Sequence, residues 1–227
     1  MKDKNWMKFN LTPQKLKASE KSIFSQGGQD GVIEAIFEQL HPNLSTFVEF
    51  GARDGVECSN TANLRINEGW IGLLMDSEPL ADIVKKETIT KDNINEVLAK
   101  NGVLGIDLLS IDVDGNDYWI WEAIKKSPMV VVIEHNSKFK TTESYSIEYN
   151  PEHKWEGDDY YGASLLALKK LGQRKGYTLV YVVERFDAVF VSNDLISSDY
   201  IVPTLEELFP EPIIAFDKVS NKKWVGV

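Results

Sequence analysis

The chain has 227 residues, 43% apolar and 26% charged, which suits one globular domain with a sizeable core. Its formal charge of −10 argues against a nucleic-acid backbone or an anionic membrane as the main partner, because both recruit basic surfaces. One cysteine (Cys58) excludes an internal disulfide. With no apolar leader at the start and no apolar run of about 18 residues, a cytoplasmic protein without membrane insertion is expected.

Residues 1–24 read as a polar arm. Val32, Ile33, Ile36, Phe37 and Leu40 recur at helical spacing, so a helix is predicted over Gln29–Leu40, ended by His41-Pro42-Asn43. Short apolar runs then alternate with helical stretches. Strands are predicted at Thr46–Phe50, Trp70–Met75, Thr88–Thr90, Asp107–Ile111 and Met129–Ile133. Helices are predicted at Ser59–Asn67, Pro79–Lys86, Asp92–Lys100 (with Asp92 as N-cap), Asp117–Lys126 and Gly162–Lys175. Tyr177–Val183 and Ala188–Val191 close the series, and the four residues between them are too few for a parallel crossover. The expected fold is doubly wound α/β: a mostly parallel seven-stranded, Rossmann-like sheet ending in an antiparallel hairpin, the layout of class I methyltransferases. The expected organisation is an arm at 1–24, a domain at 25–195 with an insertion at 136–160, and an extension at 196–227 that packs on the domain or at a dimer contact.

Ligands of such sheets bind beyond the carboxyl ends of the strands. After the first strand stands Glu49-Phe50-Gly51-Ala52-Arg53-Asp54-Gly55, whose glycines admit close approach of a ligand. It lacks the third glycine of the dinucleotide fingerprint. After the second strand stands Met75-Asp76-Ser77. Asp76, 21 positions beyond Gly55, is placed to accept hydrogen bonds from ribose hydroxyls, with N-capping by Asp76 or Ser77 as the bland alternative. Asn93, in the turn after the third strand, is a candidate for the edge of a base. Asp54, Asp112 and Asp114 are candidates to attract a sulfonium and an amino group.

Ser25-Gln26-Gly27-Gly28-Gln29-Asp30-Gly31, FVEFGARDGVECSNT, SIDVDGNDYWIWEAI, VVVIEHN and DYYGASLLALKKLGQRKGYTLV together resemble the FkbM-like methyltransferases. The narrower resemblance is to a branch that O-methylates sugars of bacterial surface glycans, such as capsular polysaccharide. The similarity runs from about Ser25 to Leu195. It implies S-adenosylmethionine contacts at Glu49, Gly51, Asp54 and Gly55, with Ala52 in the same turn and Asn60 and Thr61 nearby. It also implies ribose contact at Asp76 beside Ser77, and closure of Gln26 and Asp30 over the methionine end. The family often has Glu-Tyr-Asn where this chain has Glu134-His135-Asn136.

The fourth and fifth strands deliver Asp112-Val113-Asp114 and Glu134-His135-Asn136 to one cleft. This oxygen-rich set suits Mg²⁺ or Mn²⁺, with Asp112 or Asp114, Glu134 and Asn136 as ligands. Without a metal, Asp112 and Glu134 anchor the methionine amino group or neighbouring loops. His135 is the candidate base, with Asp112 or Asp114 as alternates and His153 behind it. The segment 136–160 is rich in aromatics, and Tyr149, Trp155 and Tyr160 are expected to form a lid over a sugar or sugar-nucleotide acceptor. Three rivals stand beside this reading. Asp112-Val113-Asp114 matches the D-x-D signature of metal-dependent glycosyltransferases; the missing glycine argues against a nicotinamide oxidoreductase; and a non-catalytic binding protein would keep the fold without turnover.

Overall fold

A computed structural model describes residues 8–42 and 44–227. Residues 1–7 and Asn43, the last of the three helix-ending residues, lie outside that description. The central sheet has seven strands in the order β3-β2-β1-β4-β5-β8-β7. These are β1 (Thr46–Phe50), β2 (Ile71–Asp76), β3 (Lys85–Lys86), β4 (Leu108–Ile111), β5 (Val130–Glu134), β7 (Tyr177–Val183) and β8 (Asp187–Ser192). All neighbours pair parallel except β8, which runs antiparallel to both β5 and β7. The expected doubly wound fold with its terminal hairpin is therefore present.

The sheet is apolar on both sides because helices cover both sides. Phe47, Leu108, Val130, Val132, Val189 and Val191 face one core, with α1 (Pro13–Ser19) and α2 (Gln29–Leu40). Val48, Phe50, Leu109, Ile111, Val131 and Ile133 face the other, with α4 (Ile94–Lys100), α5 (Asp117–Ala123) and α6 (Leu165–Lys175). Period-two alternation thus turns neighbouring residues of each strand to opposite cores. The helix α3 (Ala62–Asn67) follows the β1 turn, and α7 (Leu205–Leu208) lies in the C-terminal extension.

The described part of the N-terminal arm packs on the domain: Thr12 caps α1, Leu16 is fully buried, and Phe9 bridges to Ile196 and packs on Tyr200. Three local expectations are corrected. The helix expected over Pro79–Lys86 is absent: residues 79–84 run through bends and a turn, because Leu80 and Ile83 stay exposed and Val84 alone of its aliphatic residues is buried. An isolated turn with no apolar stripe to bury is not worth its entropy. The edge strand is Lys85–Lys86 rather than Thr88–Thr90. Asp92 does not cap α4; Asn93 occupies that position, and Asp92 accepts the Tyr149 hydroxyl at 2.6 Å.

The insertion after β5 is not structureless. Its strand β6 (Tyr145–Ile147) pairs antiparallel with β9 (Trp224–Gly226), so the chain's last residues are tied to the segment that overhangs the strand ends. Among the described residues, no helix is long and apolar enough to cross a membrane.

Candidate functional site

A cavity of about 570 Å³ opens at the carboxyl ends of β1, β2, β4 and β5, within the size range of small-ligand sites. The turn after β1 shapes its floor. Gly51 has φ +75°, and a Cβ there would lie 1.6 Å from the Asp112 carbonyl oxygen, so two strand ends touch where no side chain fits. The turn is then pinned to β2. The Ala52 amide donates to the Met75 carbonyl at 3.1 Å, and the Arg53 amide donates to Asp76 Oδ2 at 2.9 Å. The other Asp76 oxygen accepts the Glu78 amide at 2.8 Å. Each carboxylate oxygen has two lone pairs, so Asp76 is fixed in place and still able to accept. Ser77, Thr88 and Ile89 line the cavity beside it.

Of the residues expected at a donor site, Gln26, Gly51, Asp76, Ser77 and Asp112 line the cavity. Asp30, Glu49, Ala52, Asp54, Gly55, Asn60, Thr61 and Asn93 lie outside its lining, and the polar side chains among them are engaged within the protein. Buried Glu49 accepts Ser59 Oγ, the Asn60 amide and Thr61 Oγ1 at 2.7, 2.8 and 2.5 Å. Burial raises its pKa above the usual carboxylate range, although those three donors oppose the shift. Asp54 caps its own turn through the Val56 and Glu57 amides, which hold its pKa low. Asp30 gathers the amides of Ile23, Phe24 and Ser25, shaping the loop that carries Gln26 to the cavity. Asn60 donates to Ser110 Oγ and Asp187, and Asn93 closes the Thr88–Thr90 turn. These residues build the floor that the lining residues rest on.

Asp112, Asp114 and Glu134 each offer an oxygen, and the three oxygens lie within 4.8 Å of one another. All three residues line the cavity. Asp114 sits at φ +51°, an unusual conformation for a residue with a side chain, held by Asp117 accepting the Val113 and Gly115 amides. Burial, then Asp114 and Asp187, push Asp112 well above the usual range. Burial, then Asp112 and Asp117, do the same to Glu134. Asp114 is raised to about 6 by burial and by Asp117 and Asp76, with Arg53 opposing. Glu134 Oε2 is buried with no hydrogen-bond partner among the described residues. A buried acceptor left unmet beside two more carboxylates fits a hard divalent cation with oxygen ligands.

The expected ligand Asn136 does not complete the set. Its amide nitrogen donates to the Asp159 and Tyr161 carbonyls, its oxygen accepts the Lys138 amide, and Asp114 stands at the cavity instead. His135 is also displaced from its expected role. It follows Glu134 and so turns to the opposite face of the sheet, where it is fully buried against Phe209 and outside the cavity lining. Burial lowers its pKa to about 4, against a hydrogen bond to the Phe186 carbonyl. His153 is the histidine at the cavity, packed on Gly115.

Of the expected lid aromatics, Trp155 lines the cavity. Tyr149 reaches out to Asp92, and the Tyr160 hydroxyl donates to the Lys223 carbonyl and accepts the Glu148 amide, so both serve the insertion's own fold. Tyr161, one of the aromatics at the end of the expected lid, lines the cavity, whereas sequence reasoning missed Arg53, Arg185, Phe186 and Phe216. Phe216 stands in a tail whose sequence carries no period or motif.

No family model matches the chain, and no curated protein matches it.

Proposed function

We propose that the protein is an S-adenosylmethionine-dependent O-methyltransferase of the FkbM-like kind, acting in the cytoplasm on a hydroxyl of a sugar or nucleotide-linked sugar. The observation that carries this reading is the pinned pair at the first two strand ends. Gly51 lets the end of β1 close against the Asp112 backbone and so sets the cavity floor, and Asp76 is locked beside it with acceptor capacity to spare. An acidic floor then continues from Asp76 to Asp112, Asp114 and Glu134, a field that favours a sulfonium and an ammonium group.

In this reading the ribose hydroxyls bind Asp76, and the methionine end lies between Gln26 and the floor. The acceptor oxygen forms a bond to the methyl carbon as the S–C bond breaks, giving a methyl ether and S-adenosylhomocysteine. With no ion bound, the hydroxyl proton passes to a carboxylate, for which Asp114 is best placed: it faces the cavity, and burial and its acidic neighbours raise its pKa to about 6. Alignment supplies most of the rate, up to roughly 7–11 kcal/mol. Asp112, Asp114 and Glu134 would hold Mg²⁺ or Mn²⁺, which would supply Lewis acidity toward the hydroxyl.

The same three carboxylates favour a second reading, a D-x-D glycosyltransferase, in which a divalent ion would have to offset the repulsion between the acidic floor and a sugar diphosphate. The test is calorimetric titration with S-adenosylhomocysteine, NAD and UDP-glucose, followed by transfer of a labelled methyl group to a panel of sugar nucleotides. Binding of S-adenosylhomocysteine with labelled product supports the proposal. Binding of UDP-glucose alone overturns it.

A further inference from the structure

The end of the cavity away from Asp76 is built by two segments far apart in the chain. Trp155 and Tyr161 come from the insertion after β5, while Ala215 and Phe216 come from the C-terminal extension. Their rings meet edge to face: Phe216 lies 4.9 Å from Trp155 at 72° and 5.6 Å from Tyr161 at 83°. Trp155 and Tyr161 are themselves 6.2 Å apart at 66°. Trp155 and Phe216 remain half-buried, with surface to spare for a ligand.

The segment that carries Phe216 is held in place by hydrogen bonds. Ile213 exchanges two with Ser137, both at 2.8 Å. The Asp159 amide donates to the Lys218 carbonyl, Asp159 Oδ1 accepts the Ser220 amide at 2.7 Å, and β9 pairs with β6. The strap is fixed on both sides of Phe216, while Ile214 and Val219 stay 70% and 73% exposed. Apolar packing of those two side chains is therefore not what keeps it there. It closes one wall of the cavity.

From this geometry we infer that Trp155, Tyr161 and Phe216 form the acceptor subsite, that it takes the C–H face of a neutral pyranose ring, and that Phe216 is a specificity-determining residue. This rests on the methyl-donor reading above. A flat aromatic acceptor is best gripped between parallel faces, and no two of these rings are parallel. A corner of perpendicular rings suits a thick, puckered ring with an apolar face. The hydroxyl rim of such a ring needs polar partners, and Asp114, Glu134 and His153 line the same cavity. Tyr161 joins the two regions: burial and then the Glu134 charge raise its pKa, so its hydroxyl stays a neutral donor.

The full-length protein, saturated with S-adenosylhomocysteine, is titrated with methyl α-D-glucopyranoside, methyl α-D-mannopyranoside, methyl α-L-rhamnopyranoside, UDP-glucose and catechol, read by saturation-transfer NMR. At least one sugar is expected to bind through its ring protons. Phe216→Ala weakens it about tenfold, equivalent to ~1.4 kcal/mol, Phe216→Tyr restores most of the loss, and S-adenosylhomocysteine affinity stays unchanged in both. If S-adenosylhomocysteine fails to bind the wild type, the donor reading falls and this inference with it. If it binds while no sugar does, while catechol alone does, or while Phe216→Ala leaves sugar binding intact, the acceptor subsite is overturned and the donor reading stands.

Discussion

The Asp112 carbonyl oxygen occupies the space where a Cβ on Gly51 would stand, 1.6 Å from that position. The ends of β1 and β4 are thereby welded at the centre of the cavity floor. Gly51→Ala must relieve a backbone clash and also hold φ near +75°, costs of about 1–3 and 1–2 kcal/mol respectively. The expected outcome is a loss of about 2–5 kcal/mol, read as a fall of roughly 5–15 °C in Tm, together with loss of S-adenosylhomocysteine binding. A variant that keeps wild-type Tm and affinity would show that the turn has other room to move.

Asp76 separates donor binding from fold. Each of its oxygens accepts a backbone N–H, so an amide in its place gives up one of those two bonds, and a ribose would lose a charged acceptor. Asp76→Asn is expected to weaken S-adenosylhomocysteine about ten- to hundredfold, the range for a hydrogen bond to a charged group, with a Tm change of only a few degrees. Equilibrium titration alongside thermal unfolding checks both halves.

The acidic floor sets a pH dependence. Asp114 and Asp187 are raised to about 6, and Asp112 and Glu134 are raised as well. The folded state therefore keeps protons that the unfolded chain releases above about pH 4. With more protons bound when folded, stability falls as pH rises, from about 4 until the folded-state values are passed. Tm should be higher at pH 5 than at pH 7.5. Mn²⁺ at a hundredfold excess over its Kd should recover about 2.7 kcal/mol at pH 7.5, and much less at pH 5, where protons compete. Asp114→Asn should shrink both effects. A Tm that rises from pH 5 to 7.5 without metal would contradict this account of the floor.

His135 tests whether position along the chain or side-chain direction decides a role. Its Nε2 is buried without a partner among the described residues, and the Phe186 carbonyl it approaches also accepts the His135 amide. Replacing it with a ring of similar shape strands no partner. His135→Phe is expected to change stability by no more than ~1.5 kcal/mol and to leave methyl transfer and its pH profile close to wild type. A hundredfold loss of rate in a fully folded His135→Phe would restore it as the base.

The contrast between His135 and Glu134 also shows how far the sequence could be read. Strand–helix alternation placed β1, β2, β4, β5, α2 and α6 within a few residues, because each is an apolar run or stripe with local stop signals. The Asp76 and Asp112 ends followed from those strands. What failed needed tertiary information. Glu49 looks like a ligand in sequence, but it faces inward to Ser59, Asn60 and Thr61. Asn136 looks like a metal ligand, but its amide spans two carbonyls of the insertion. Phe216 lies 80 positions beyond Asn136, in a segment whose place depends on backbone pairing with β6 and leaves no periodic mark.

The pairing of Lys138 with Asp159 yields the last prediction, because it holds the strap with the opposite pH sense from the floor. Lys138 Nζ lies 2.7 Å from Asp159 Oδ2 and 4.2 Å from the centre of the Trp224 ring, so one ammonium ties the insertion to the C-terminal strand. Burial works against the Asp159 charge, but the Lys138 hydrogen bond and the Ser220 amide outweigh it, and its pKa is lowered. A lowered carboxylate stabilises the fold above its unfolded-state value of about 3.9 and stops doing so as pH falls through the folded value. The strap should therefore loosen in acid, while the floor carboxylates are gaining protons and stability. Lys138→Ala should cost about 1–3 kcal/mol, most of it local. The Ser220 amide should then exchange faster at pH 7, the acceptor KM should rise, and S-adenosylhomocysteine affinity should hold. Unchanged Ser220 exchange in Lys138→Ala would mean that the β6–β9 pairing holds the strap without the ion pair.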